Sequence, residues 1–188
     1  IFVTLAERIG LATPLTMFVV TEVSRQLSAW HDAGLHPVPV AVNLSSQIFR
    51  DPDTVDALCT IPASFAVPAT LIEYALTETA LLADPRRAAQ VLRPLRDAGF
   101  RVVLDDFGTG FSSLSHLRQF ELDAIKIDRS FVRDLQESDR DKGIVRAIVA
   151  MTADLGIDAI AEGIENETQR QTLLEFGCVH MQGYYFGR

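Results

Sequence analysis

Six short apolar runs, at 38–44, 71–78, 101–106, 124–128, 157–162 and 179–183, alternate with longer stretches of helical periodicity. No other feature constrains the fold as strongly. Strands separated by helices pair in parallel, because parallel neighbours need a crossover long enough to hold a helix. Within each run, side chains two residues apart share a face. One face collects Val40, Val42, Ile72, Tyr74, Leu76, Val102, Leu104, Ile125, Ile127, Ala159 and Ala161. The other carries Asn43, Glu73, Thr77, Arg101, Asp105, Lys126, Asp128, Asp158, Glu162, His180 and Gln182 among a few small or apolar residues, Ala75 included. An open doubly wound sheet covers both faces with helices and could not hide so many charges. A (βα) barrel can, because its inward residues reach a wet mouth at the C-terminal ends of the strands. The polar groups do gather at those ends, as Asn43, Glu78, Asp105, Asp106, Lys126, Glu162 and Gln182. The expected fold is therefore α/β, a modified TIM-type (βα) barrel. It is incomplete here, since six strands fall short of the usual eight.

Punctuation residues place the helices. A first helix covers roughly 4–7 and stops at Gly10; Thr13-Pro14 reads as a cap followed by proline, opening a helix that runs to Ala33 and Gly34. Asp51-Pro52 opens a short helix, and Asp84-Pro85 opens another that Gly99 closes. The amphipathic stretch 139–155 is a helix stopped by Gly156, and 167–176 is one stopped by Gly177. With 188 residues and 48% hydrophobic content, one core and one domain spanning 1–188 are expected. No run of 18 apolar residues exists, and the opening Ile1-Phe2-Val3 lacks the pattern of a signal peptide. The absent initiator Met suggests a fragment. A net charge of -8 argues against holding long nucleic acid by phosphate neutralisation. Cys59 and Cys178 match no zinc spacing and read as buried free thiols; His31, His36, His116 and His180 are scattered and read as structural.

The chemistry concentrates in Val102-Val-Leu-Asp-Asp-Phe-Gly-Thr-Gly-Phe-Ser-Ser-Leu114. Adjacent strand residues point to opposite faces, so Asp105 and Asp106 share a site only where the strand ends and bends. Ser112 then reads as the cap of a helix beginning near Ser113. Two bare carboxylates about 4 Å apart repel by roughly 4 kcal/mol at an effective dielectric of 20. A divalent cation turns that repulsion into binding, and hard oxygen ligands favour Mg²⁺ or Mn²⁺. The competing arrangement puts one aspartate in the lumen and the other in solvent. Oxygen ligands with one ammonium, and no nucleophile paired with a base, point to metal-assisted hydrolysis. Lys126 would hold the attacking water or stabilise developing charge. Arg129 and Arg133, just past a strand end, are either phosphate contacts or solvated residues at a helix start.

These residues also fall into an ordered series: Asn43-Leu44-Ser45, Leu76-Thr77-Glu78, Asp105-Asp106-Phe107-Gly108-Thr109-Gly110, Lys126-Ile127-Asp128-Arg129-Ser130-Phe131-Val132, Ala161-Glu162-Gly163-Ile164-Glu165 and Gln182-Gly183-Tyr184. The series resembles that of the EAL domains, the cyclic di-GMP phosphodiesterases of bacterial signalling, over the whole chain. The resemblance implies a modified TIM barrel that opens cyclic di-GMP to linear pGpG with two Mg²⁺ or Mn²⁺ ions and is inhibited by Ca²⁺. It implies Asn43, Asp105, Asp106 and Glu162 as metal ligands and Lys126 as the residue orienting the catalytic water. Gln182, Asp128 and Arg129 would lie on the substrate side, and Glu78 would brace the loop after Asp106. A homodimer, fusion to sensor or GGDEF-type domains and a cytoplasmic location are implied as well.

Two departures stand out. The Glu-Ala-Leu signature, with its metal-binding Glu and the nearby Arg, belongs to a first strand that this fragment lacks, as it lacks the C-terminal end. The family's Glu-x-Thr-Glu pattern ending at Glu78 also begins here with Ala75 in place of a metal ligand, the one rim position without a polar group. Glu73, two residues deeper, is expected to pair with Arg101 instead. Three readings follow: a phosphodiesterase carrying a Glu-to-Ala change, a cyclic di-GMP receptor that does not cleave, or a protein-interaction module.

Overall fold

A computed structural model describes residues 2–50, 52–108 and 120–187. Every strand pair described is parallel. The chain divides into two compact units, one of residues 1–102 with 114–121 and one of residues 103–113 with 122–188.

The first unit begins with helices α1 (Phe2–Arg8) and α2 (Ala12–Asp32), followed by strand β1 (Val40–Asn43) and a 3-10 turn at Ser46–Arg50. Helix α3 (Pro52–Ser64), strand β2 (Ile72–Thr77), helices α4 (Glu78–Ala83) and α5 (Pro85–Asp97) and the start of β3 (Arg101–Phe107) complete it. β1 and β2 align Val40 with Ile72 and Asn43 with Ala75. Their apolar face packs as alternation requires: Val42, Ile72, Tyr74, Leu76 and Val102 are fully buried, and only Val40 is half-exposed. Tyr74 keeps its polar end satisfied by donating from its hydroxyl to the Leu58 carbonyl at 2.7 Å. Asp84 caps α5 by accepting from the Arg87 amide at 3.0 Å, with Pro85 in the first helical position as expected.

Three boundaries differ from expectation. α2 starts at Ala12 rather than after a Thr13 cap, and Leu11, which precedes it, makes no side-chain cap bond. Pro14 is thereby the third helical residue, where the amide has no partner inside the helix and its loss is harmless. α3 is not short: it runs 13 residues and carries Pro62 in its last turn. Glu78 is the first residue of α4, not the last of β2, because the Thr77 hydroxyl accepts from the Ala80 amide and ends the strand.

The second unit holds the rest of β3, strand β4 (Ala124–Ile127), helices α6 (Arg129–Arg133) and α7 (Asp139–Leu155), strand β5 (Asp158–Glu162), helix α8 (Glu167–Glu175) and strand β6 (His180–Gln182). α7 has the expected bounds, with Ser138 capping its start and Gly156, at φ 70°, closing it in the left-handed conformation. Leu104, Ile125, Ile127 and Ala161 are buried, as sorted by period. The helix expected near Ser113, and its Ser112 cap, lie outside the described residues. Cys178 is buried, but Cys59 is only half-buried, contrary to expectation. Among the described residues, no helix is long and apolar enough to cross a membrane.

Candidate functional site

The site is set by an irregularity in β3. Leu104 pairs with Ile125 and Phe107 with Ile127, so Asp105 and Asp106 together stand opposite one residue, Lys126. This is a β-bulge, which inserts an extra residue and re-aims side chains. Asp106 takes φ 55°, and its amide donates to Asp105 Oδ1 at 3.0 Å. Left-handed backbone costs a non-glycine residue of the order of 1–2 kcal/mol, least for Asp and Asn. The two aspartates thus share a site without the strand ending, since β3 continues through Phe107.

Glu162, at the end of β5, joins them: one ligand oxygen from each of Asp105, Asp106 and Glu162 lies within 4.8 Å of the others. Lys126, on the strand between, is buried and bridges the cluster, its Nζ 2.6 Å from Glu162 Oε1 and 3.4 Å from Asp105 Oδ2. Gln182 on β6 donates from Nε2 to the same Glu162 oxygen at 2.5 Å. Five expected residues, Asp105, Asp106, Lys126, Glu162 and Gln182, therefore meet on consecutive strands.

The electrostatics leave an excess of negative charge. Burial works against the Lys126 ammonium, but the hydrogen bond to Glu162 and the charges of Asp105 and Glu162 outweigh it, and its pKa rises. Burial, followed by the neighbouring Asp105 and Asp128, holds the Asp106 carboxyl above its ordinary value. Burial does the same at Glu162, against the hydrogen bond from Lys126. Three carboxylates and one ammonium sum to -2 when all are ionised. The donors are hard oxygens, with no sulfur or imidazole among them, so the residues fit a Mg²⁺, Mn²⁺ or Ca²⁺ ion.

The remaining expected residues are engaged as follows. In the second unit, Asp128 caps α6 by accepting from the Ser130 amide at 2.9 Å. Arg129 is exposed beside Gly163, where any added Cβ would fall 2.6 Å from that of Arg129. Arg133 pairs with Asp134 at 3.0 Å. In the first unit, Asn43 is exposed at the end of β1, and Ala75, its register partner, is buried. Glu73 pairs with Arg101 at 3.0 Å, as expected, and so is committed. Glu78 is buried, with neither carboxylate oxygen hydrogen-bonded among the described residues. Its expected partner, the loop after Asp106, includes residues outside those described.

Sequence reasoning missed Gln169. It lies at the third position of α8, where its side chain and that of Asn166 form a reciprocal capping box. The spacing Asn166-x-x-Gln169 ahead of a helix is a readable signature of that device.

A match to the EAL domain extends over residues 1–188. The chain is 37% identical over 187 residues to the cyclic di-GMP phosphodiesterase PdeR of Escherichia coli, covering 100% of this chain and 28% of that protein. The solved MucR phosphodiesterase of Pseudomonas aeruginosa, in complex with c-di-GMP, matches with a TM-score of 0.93 at 34% identity, over 100% of this chain and 76% of that one. A manganese and cyclic di-GMP complex of Klebsiella pneumoniae BlrP1 matches with a TM-score of 0.82 at 30% identity, over 92% of this chain and 44% of the other; a calcium complex of BlrP1 matches equally. The chain spans about a quarter of the length of the curated relatives it matches. Its architecture is that of the (βα)-barrel structures it matches, with six strands among the described residues.

Proposed function

The chain belongs to the EAL domain family, and from that premise we propose that it binds cyclic di-GMP through divalent cations at the Asp105–Asp106–Glu162 cluster, with hydrolysis to linear pGpG held low by Ala75. The observation that carries the reading is the convergence of three carboxylates around one buried lysine. Mg²⁺ or Mn²⁺ is the cation proposed; Asn43 as a further ligand rests on the motif series alone. A bound divalent cation supplies charge neutralisation for a phosphodiester and Lewis-acid polarisation of its oxygens.

Lys126, whose ammonium is favoured by Glu162 and Asp105 in the metal-free site, donates hydrogen bonds and stabilises negative charge developing on phosphorus oxygens. Gln182 and Lys126 both bond Glu162 and so fix the direction of its free oxygen. Gln182, Asp128 and Arg129 are read on the substrate side, and a bracing role for Glu78 rests on the motif series alone. The curated relatives are about four times longer than this chain, and one carries diguanylate cyclase activity in its name. Accordingly, the chain is read as one module, residues 1–188, of a longer cytoplasmic signalling protein that pairs as a homodimer. A second reading, a receptor that binds without cleaving, is favoured by one observation, the buried Ala75 where the family pattern has a carboxylate.

Calorimetry with cyclic di-GMP in Mg²⁺, Mn²⁺ or Ca²⁺, paired with chromatography of the nucleotide, tests the proposal. The expected result is cation-dependent binding with little pGpG formed. No binding up to about 0.5 mM nucleotide, weaker than roughly -4.5 kcal/mol, would leave only the interaction-module reading.

A further inference from the structure

Short helix α6 follows β4 and touches the turns that follow β3 and β5, three of the four strands that carry the site. It begins directly after β4, which carries Lys126. Its Phe131 ring packs on Gly108, just past Asp106, so closely that a Cβ there would lie 2.8 Å from the ring. Its Arg129 packs on Gly163, just past Glu162. Such contacts fix distance but not register, because an apolar or methylene surface can slide.

The register comes from one buried amide. Gln169 Oε1 accepts from the Glu165 amide at 2.8 Å and the Asn166 amide at 3.3 Å. Its Nε2 donates to the Val132 carbonyl at 3.2 Å and the Arg133 carbonyl at 3.4 Å. The residue is 3% exposed, and both donor hydrogens and both acceptor sites are used. Capping α8 needs only the oxygen. The nitrogen does something else: it ties the end of α6 to the turn leaving Glu162.

We propose that Gln169 is a positioning residue that holds Glu162 in register with Lys126 and Asp105, and so sets the affinity of the cluster for a divalent cation. The proposal rests on the cation-binding reading given above. Partners behind a ligand typically govern about 10- to 100-fold in metal affinity. Gln169, acting through backbone, belongs at the lower end, about tenfold.

The test compares Mn²⁺ binding, read from the loss of the free-ion EPR signal, with thermal unfolding in the absence of metal. Gln169→Leu removes both halves of the bridge. Gln169→Glu keeps the cap but loses the donors to α6. Thr152→Val removes a buried hydroxyl bond to the Val149 carbonyl in α7 and serves as a stability control. Gln169→Leu and Gln169→Glu should both weaken Mn²⁺ binding by about tenfold, although Gln169→Glu recovers part of the unfolding temperature and Thr152→Val binds Mn²⁺ normally. Parent-like Mn²⁺ binding in both Gln169 variants, or an equal loss in Thr152→Val, would overturn the proposal. Glu162→Gln separates the two levels. If it leaves Mn²⁺ binding unchanged, the cation-binding reading is wrong, and the proposal falls with it.

Discussion

Lys126→Met keeps most of the apolar stem and deletes only the charge, which makes Lys126 the sharpest place to perturb the cluster. Without a cation, the ammonium is within hydrogen-bond reach of Glu162 at 2.6 Å and Asp105 at 3.4 Å. At an effective dielectric of 20 these distances correspond to gross attractions of about 6 and 5 kcal/mol. Desolvation of all three groups offsets most of that, and breaking a buried pair by removing one partner typically costs about 3–5 kcal/mol. The Glu162 side chain retains 18% exposure, so water screens part of the charge left behind. A loss of about 3 kcal/mol is expected, which for a domain of this size is roughly 6–12 °C in unfolding temperature.

A divalent cation should reverse the order of effects. Removing Lys126 takes the ionised cluster from -2 to -3 and strengthens its attraction for the ion. Both proteins gain from the ion, so the gap closes by RT ln of the ratio of their Kd values; a variant that binds about twentyfold tighter recovers about 1.8 kcal/mol, and the gap should shrink to less than half in saturating Mn²⁺. Scanning fluorimetry or calorimetry with and without Mn²⁺ reads both quantities. A variant that unfolds within about 1 °C of the parent without metal, or a gap that Mn²⁺ leaves unchanged, would refute the picture of an ammonium standing in a cation-binding cluster.

Ala75→Glu should raise turnover of cyclic di-GMP to pGpG by at least about a hundredfold, or roughly 2.7 kcal/mol, read by chromatography in Mg²⁺ or Mn²⁺; continued inactivity would favour the receptor reading. Asp106→Asn should stabilise the metal-free protein at neutral pH. The folded pKa of Asp106 is raised, so the cost of ionising it appears as pH climbs through that raised value. The gain should vanish near pH 3, where the carboxyl is protonated in both states, and denaturant melts at about pH 3 and 7 test the sign. Asp84→Ala should cost about 1 kcal/mol through the lost cap on α5, measured by denaturant unfolding; an unchanged midpoint would show that Pro85 alone starts that helix.

Much of this was readable because it is periodic or local. The alternation that put Ile125 and Ile127 on one side and Lys126 on the other needs only a parallel strand. Gly156 stops α7 because only glycine takes φ 70° without strain. The Glu73–Arg101 pair followed from two long, opposite charges at matching depth on successive strands. What stayed hidden depends on context that sequence does not carry. The bulge at Asp105–Asp106 is a mismatch between two strands, invisible in either alone. Thr13 looked like a cap because Thr-Pro is a common opening. The turn at Gly10 and the buried Ala12 bring the helix in two residues sooner. The helix opened by Asp51-Pro52 was expected to be short, yet it runs 13 residues because Pro62 falls where it is ending anyway.

The left-handed backbone at Asp106 also makes the two neighbouring aspartates unequal under mutation. Asp105 shares the bulge but takes no positive φ, so lengthening it by one methylene tests reach without left-handed strain. At position 106 the same change must also be carried by a residue that disfavours φ 55°, whereas glycine or asparagine would accept the backbone and surrender the charge. No single replacement keeps both the conformation and the carboxylate. A deep mutational scan should therefore find position 106 nearly closed even to conservative exchange and position 105 somewhat more open. The same trick suits design: one bulge with a left-handed aspartate lets a single strand supply two ligands to one rim, so the density of charge at a barrel mouth is not capped by the number of strands around it.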